Sequence, residues 1–324
     1  MKSITFALLS IVPTFAQVIP NGASADLVLG QANFTVNTAG TSATKLSDPA
    51  GVVIDPTTRK VFVSDRGNKR VLRFSDMNAL ASGAAAEWVV GQPNFTSNGM
   101  GTTANTFGQF GPGGIYLDTS GRLWVADTGN CRVLRFDNAL TATANQPNAA
   151  RVYGQSNFTN SAPGTSATTM RFPASVLVDS GDRLWVVDIG NNRVLRFNSV
   201  STHTTNGVAA SGVLGQLNFT SANALPLEAN SMDGPEGITM SSNGTLYVSD
   251  FERILRFNNA AALSNGANAS GILGQPSFTE STFGGPSANY TNGPSGLLIT
   301  VNDVLWVCDR KNNRMIYINS ASTK

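Results

Sequence analysis

Apolar residues in this chain fall into short runs of four to six, rich in Val, Ile, Leu and aromatics and bounded by Gly, Pro, Asn or Asp. That is the signature of short β-strands. The runs are apolar at odd and even positions alike, so both faces of any sheet they form must be covered. They also recur. One stretch reads VLGQANFT at 28, VVGQPNFT at 89, VYGQSNFT at 152, VLGQLNFT at 213 and ILGQPSFT at 272. Three further stretches share its period of about 61 residues. A Pro-led run appears as PAGVVID at 49, PGGIYLD at 112, PASVLVD at 173, PEGITMS at 235 and PSGLLIT at 294. A second run is KVFVSD at 60, RLWVAD at 122, RLWVVD at 183, TLYVSD at 245 and VLWVCD at 304. The third is RVLRF at 70, 132 and 193, RILRF at 253 and RMIYI at 314.

Four such strands per period, packed face to face with the next unit, describe propeller blades. The predicted fold is therefore all-β, a five-bladed β-propeller with four-stranded blades. Stretches such as DTSGRLW and SSNGTLY supply tight turns from the first strand to the second. With the Pro-led run innermost and VLGQ outermost, the chain opens on an outer strand and closes on an inner trio. Placing LVLGQ of residues 27–31 beside RMIYI of 314–318 completes the C-terminal blade and closes the ring, leaving no sheet edge open. The N-terminal strand is predicted to be the clasp.

In PxGIxxD, xLWVADTGNxRVLRF and VLGQPxFT the chain resembles NHL-repeat propellers, in particular secreted NHL-like proteins with a GQPxF-type repeat. The resemblance covers essentially all of residues 17–324 and implies one propeller domain there. It departs in number, since six blades are common in NHL propellers and five complete sets stand here.

Composition narrows the setting. Charged residues are 13% of the chain, 22 Lys+Arg against 20 Asp+Glu, so no field gathers phosphates or anionic lipid, and nucleic acid is not an expected partner. Lys2 followed by ITFALLSIVP and small Ala16 reads as a signal peptide over residues 1–16, too short to span a bilayer. No later segment is apolar enough for membrane insertion, so the protein is expected to be soluble, secreted and extracellular. Cys131 and Cys308 fall at unlike positions of non-neighbouring repeats and are expected as two separate thiols.

Several residues carry candidate chemistry. Asp65, Asp127, Asp188, Asp250 and Asp309 end the second strand, and Arg70, Arg132, Arg193, Arg253 and Arg314 begin the third. Facing one another across a hairpin, they form either a ring of charge pairs around the channel mouth or a structural pair within each blade. The structural reading is favoured, because every blade has one. In the fourth blade the turn is shorter by two residues, DFER, which keeps strand register. The second Arg of RVLRF, replaced by Tyr317 in the last blade, is expected to pack its stem along a blade face. Asp55, Asp118 and Asp179 close three inner strands, where they would either hold calcium or bond the turns they begin. Glu236, alone charged in the variable slot of the Pro-led run, and nearby Asp233 are candidate binding residues at the mouth.

Histidine occurs once, as His203 in a loop. It supplies neither the histidine-rich ligand set of catalytic zinc nor a His-based triad, so the amidating lyases of this fold type are resembled in architecture and contradicted in site. Asn33, Asn94, Asn157 and Asn218, in register within NFT, and Asn243, Asn268 and Asn289 are glycosylation candidates. For the four in register the alternative is that NFT ends the strand. The long, nearly constant loops from outer to inner strand should gather on the face of the Asp/Arg hairpins, where a rigid scaffold places recognition. The expected function is a secreted, non-enzymatic binding or scaffold propeller that recognises a carbohydrate or protein partner there. The alternatives are a propeller-type hydrolase or lyase with a channel-bound metal, calcium on Asp55, Asp118 and Asp179, and a structural protein whose monomers stack into matrix or filaments.

Overall fold

The computed structural model of the chain describes residues 24–224, 226–282 and 285–324. The predicted signal peptide, residues 1–16, lies outside the described residues. The architecture is all-β, five antiparallel blades arranged as a β-propeller. Blade 1 comprises β1 (Pro49–Ile54), β2 (Lys60–Asp65), β3 (Arg70–Asp76) and β4 (Trp88–Val90). Blade 2 has β5 (Pro112–Leu117), β6 (Leu123–Asp127), β7 (Arg132–Phe136) and β8 (Arg151–Tyr153), and blade 3 has β9 (Pro173–Val178), β10 (Leu184–Asp188), β11 (Arg193–Phe197) and β12 (Gly212–Leu214). Blade 4 follows with β13 (Pro235–Met240), β14 (Leu246–Asp250), β15 (Arg253–Phe257) and β16 (Gly271–Leu273). Blade 5 has β17 (Pro294–Ile299), β18 (Val304–Asp309) and β19 (Arg314–Asn319).

Apolar residues at both parities have a direct use in this arrangement. Along β6, Leu123 and Val125 enter the core shared with Phe62, Val71 and Trp88 of blade 1. The alternate residues Trp124 and Ala126 enter the core shared with Val176, Val186 and Leu195 of blade 3. Blades 2, 3 and 4 thus each belong to two shared cores, and the hydrophobic effect holds neighbouring sheets together as well as each sheet to itself. The innermost strands β1, β5, β9, β13 and β17 pack in succession around a central cavity of about 920 Å³.

Two local devices set the blade geometry. The Gly of every VLGQ copy is left-handed, φ +86, +89, +82, +83 and +81 at Gly30, Gly91, Gly154, Gly215 and Gly274. At Gly91 a Cβ would lie 2.4 Å from the Phe107 ring, so only glycine lets the incoming loop close over the strand end. The neighbouring Gln then ties the turn: Gln92 Nε2 donates to the Lys69 and Gly99 carbonyls at 3.0 and 2.7 Å. The second device is the hairpin between the second and third strands, one 3-10 turn closed by a left-handed residue such as Lys69 or Cys131. Blade 4 replaces it with a two-residue turn, and Asp250 still faces Arg253 in register as Asp127 faces Arg132.

Circular closure is not shown. The fifth sheet has three strands, and residues 27–31 form none. They lie instead against blade 1. The Val28 carbonyl accepts the Gly83 N–H at 3.0 Å, and Leu29 packs beside Leu46, Val61 and Leu72. The leading segment is held by the blade that follows it, and its ladder to β19 is missing.

The hairpin pair makes a stability prediction. Arg132→Met leaves Asp127 charged, wholly buried and unpaired, and should lower unfolding free energy by about 3–5 kcal/mol in chemical denaturation. Adding Asp127→Leu should fail to restore it, because the carbonyls of Phe158, Thr103 and Thr106 also lose their donor.

Candidate functional site

At the hairpin tips, Asp65, Asp127, Asp188, Asp250 and Asp309 are wholly buried and present no oxygen to solvent. Each engages its Arg through Nε at 2.7 or 2.8 Å. In blade 2 the other Asp127 oxygen accepts the Gly108 N–H of the incoming loop at 2.8 Å, and Asn130 donates a third bond. Arg132 completes the knot by donating to the Phe158 carbonyl of the NFT segment and to Thr103 and Thr106 of the loop. The pairs therefore act within the blades. Burial pushes the carboxyl pKa of Asp127 and Asp188 up against the pull of their arginines. Asp250 rises to about 6, again from burial, and its shortened turn carries no counterpart of Asn130.

At the opposite mouth, Asp55, Asp118 and Asp179 each serve their own turn. Asp55 accepts from the backbone and hydroxyl of Thr58 at 2.6 and 2.7 Å. Asp118 accepts from the Ser120 and Arg122 backbone, from Arg122 Nε at 2.6 Å and from the Trp124 indole at 2.8 Å. Asp179 repeats this with Gly181, Arg183 and Trp185. The indole contacts were invisible in sequence, since they depend on Trp reaching over the turn to a carboxylate six residues earlier. Among the described residues no three His, Cys, Asp or Glu side chains group to hold a metal ion. The cavity between the mouths is lined by apolar groups such as Ile115, Val176, Leu177, Ile238 and Leu297, with Asp179 and Arg183 at one end.

The loop-lined mouth is where copies differ. Glu236 pairs with Arg310 of the next blade at 2.8 Å, and the Asp233 N–H donates to Asp250. Before each Pro-led strand stands a residue with positive φ: Asp48, Gly111, Phe172, Gly234 and Gly293. Phe172 holds φ 53, a conformation that disfavours a bulky side chain. Its ring meets Phe110 edge-on at 6.0 Å, and the Arg171 guanidinium lies 5.8 Å from its centroid. Phe110 is 51% exposed. Comparison of the five pre-proline positions is the signal that would have found this cluster. Glu252, also missed, is buried at the junction of blades 4 and 5, where it accepts the Gly293 N–H at 2.7 Å and pairs with Lys311 at 3.0 Å.

The remaining candidates are placed as follows. His203 lies 3.1 Å from the Tyr153 hydroxyl at the blade periphery, and burial pushes its pKa down. Cys131 is buried and Cys308 half-buried, both as free thiols, and burial raises the Cys131 pKa. Asn33, Asn94, Asn157, Asn218, Asn243, Asn268 and Asn289 are all exposed. In the four NFT copies the Asn Oδ1 accepts the Thr backbone N–H and hydroxyl two residues on, an Asx turn that ends the outer segment.

Comparisons with known proteins agree with this architecture. The family model described as NHL repeat matches residues 111–136, within blade 2 of the β-propeller. A nidogen/laminin complex structure is similar at 15% identity and TM-score 0.53, over 87% of this chain and 79% of that one. A streptogramin B lyase is similar at 13% identity and TM-score 0.46, over 83% and 67%. Virginiamycin B lyase from Staphylococcus aureus is similar at 14% identity and TM-score 0.45, over 84% of each chain. No curated protein sequence matches.

The raised Asp250 pKa fixes a sign. Its folded value near 6 exceeds the unfolded value near 3.8, so the folded state binds more protons between them. Its contribution to stability is fullest below about pH 4 and is lost as pH rises through 6. Thermal midpoints across this window should fall more steeply with pH for the native protein than for Asp250→Asn.

Proposed function

We propose that the protein is a secreted, non-enzymatic binding propeller whose loop-lined face holds a protein partner. The observation that carries this reading is the Phe110–Phe172–Arg171 cluster, in which Phe172 keeps a left-handed backbone where three of the five blades have glycine. Strain of this kind persists where the surroundings impose it and is a pointer to function. An aromatic pair, Phe110 exposed and Phe172 half-buried, with a stacked Arg has the composition of an interface hot spot, and the Arg66–Asp48 and Arg310–Glu236 pairs offer a polar rim. The aspartates of the mouth are engaged in their own blades, which supports binding over acid–base chemistry. The export pattern of residues 1–16 supports secretion, and the exposed NFT asparagines suit an outer belt of glycans.

The test presents the purified protein to extracellular proteins and to a glycan array. Phe110→Ala should weaken saturable protein binding at least about tenfold, the loss expected of a hot-spot residue. Phe172→Asn should weaken it similarly while leaving the thermal midpoint unchanged or raised, because Asn tolerates the left-handed region. Glycan binding that survives both substitutions, with no protein bound, overturns the reading.

A further inference from the structure

The turns between first and second strands lie at the mouth opposite the hairpin tips, and they differ between blades. Blades 2 and 3 carry the aligned stretches DTSGRLW and DSGDRLW, and blade 4 carries SSNGTLY. In blade 2 the Arg122 Nε engages Asp118, and its Nη2 lies 3.6 Å from Asp182 in the turn of blade 3. Arg183 repeats the first contact, with Asp179 at 2.8 Å. The second has no counterpart, because Gly244 of blade 4 stands where blade 3 has Asp182. A Cβ at Gly244 would meet nothing within 4 Å, so the space beside it is open. Among the described residues nothing accepts a hydrogen bond from the two terminal amino groups of Arg183. Its side chain is 30% exposed, against 15% for Arg122.

This guanidinium stands at one end of the central cavity of about 920 Å³. Asp179 and Arg183 are the charged residues of the cavity wall, and Asp179 is fully engaged. One of its oxygens accepts the Gly181 and Arg183 backbone N–H groups, the other Arg183 Nε and the Trp185 indole. Arg196, which clamps blade 3 to blade 4 by donating to the Ala261 carbonyl, adds positive charge nearby. Burial pushes its pKa down, and the Arg183 charge pushes the same way. The wall is otherwise predominantly apolar along the inner strands. It continues to Leu298, Trp306 and Met315 of blade 5 and Val52 of blade 1, large apolar side chains that are exposed. A concave apolar wall with a few polar groups to fix orientation is the usual form of a small-molecule site.

We propose that the central cavity binds a long-chain aliphatic carboxylate, its head held by Nη1 and Nη2 of Arg183 and its chain laid along Val176, Leu177 and Ile238 toward Trp306. A carboxylate matches the planar fork of a guanidinium through two parallel hydrogen bonds, and in an apolar surround such a pair is stronger than at an open surface. A neutral head would leave the Arg183 charge uncompensated, and a cationic head would meet both Arg183 and Arg196. Length agrees as well. From Asp179 back to Ser175 the inner strand spans roughly 13 Å at about 3.3 Å per residue, near the extended length of decanoate. Bound there, the chain covers the apolar side chains that the blades leave exposed around the cavity. The site stands apart from the Phe110–Phe172 cluster, which lies at the other mouth, so each can fail without the other.

The test titrates the full chain with decanoate and with decanol, followed by calorimetry. Decanoate should bind saturably and at least about tenfold more tightly than decanol, the difference expected of a charge-assisted pair. Arg183→Gln should abolish that preference. A merely structural role for Arg183 in the turn would weaken both ligands alike, so the ratio of the two affinities within the variant is the readout. Iodide quenching on the native protein places the ligand and stands by itself should the variant fail to fold. Trp88, Trp124 and Trp185 are buried in the interblade cores, so iodide reaches Trp306, and saturating decanoate should shield it. No saturable decanoate binding, equal affinity for the two heads, a preference that survives Arg183→Gln, or unchanged quenching of Trp306 overturns the proposal.

Discussion

A guanidinium buried at the hairpin tip of each four-stranded blade is the constraint on which those blades depend. Moving such a charge out of water costs several kcal/mol, and an ion pair alone recovers this only when the remaining donors are also satisfied. Arg132 meets the condition with Asp127 on Nε, Phe158 on Nη1 and the Thr103 and Thr106 carbonyls on Nη2. Those acceptors come from three separate parts of the chain. Satisfying one charge therefore fixes the hairpin, the end of the outer strand and the incoming loop together. The five-residue spacing of Asp and Arg, the Asn between them and the NFT segment are parts of one network, which explains why they recur as a set.

Repetition of this kind separates structure from function within the chain. A group present in every blade and fully engaged there has no free valence for a ligand, as with Asp65 and its four counterparts. Departures from the repeat mark special positions. Phe172 replaces glycine at a left-handed site on the mouth, Glu252 replaces the 3-10 turn at the junction of blades 4 and 5, and Tyr317 replaces a clamping arginine. The first belongs to the proposed recognition site, and the other two lie where blades are joined.

Much of the fold was legible because a period of about 61 residues states the same strand pattern five times, with turn residues between. The pairing of Asp250 with Arg253 across a shortened turn was readable too, since a loss of two residues keeps side chains on their faces. The turn role of Asp118 could be read from DTSG, but its Trp124 indole partner could not. That contact depends on the first and second strands crossing at a particular twist. Phe172 was hidden for a related reason: a side chain's name does not reveal a left-handed backbone until its position is compared across blades.

Closure differs from all of these in scale. Alignment of the VLGQ copies says which strand residues 27–31 imitate, but the meeting of the two ends depends on the summed rotation of five blades, and no single repeat encodes that sum. Blade 1 holds the segment through Val28 and Leu29, so half of an interblade junction forms from contacts local to the first blade. The other half, a ladder to β19, is absent, and the fifth sheet keeps three strands. The four junctions between successive blades each carry an arginine clamp. Blades 2 and 3, whose loops present Phe110 and Phe172, are joined by the Arg135 clamp to the Val200 carbonyl, whereas blade 5 carries Tyr317 in that position.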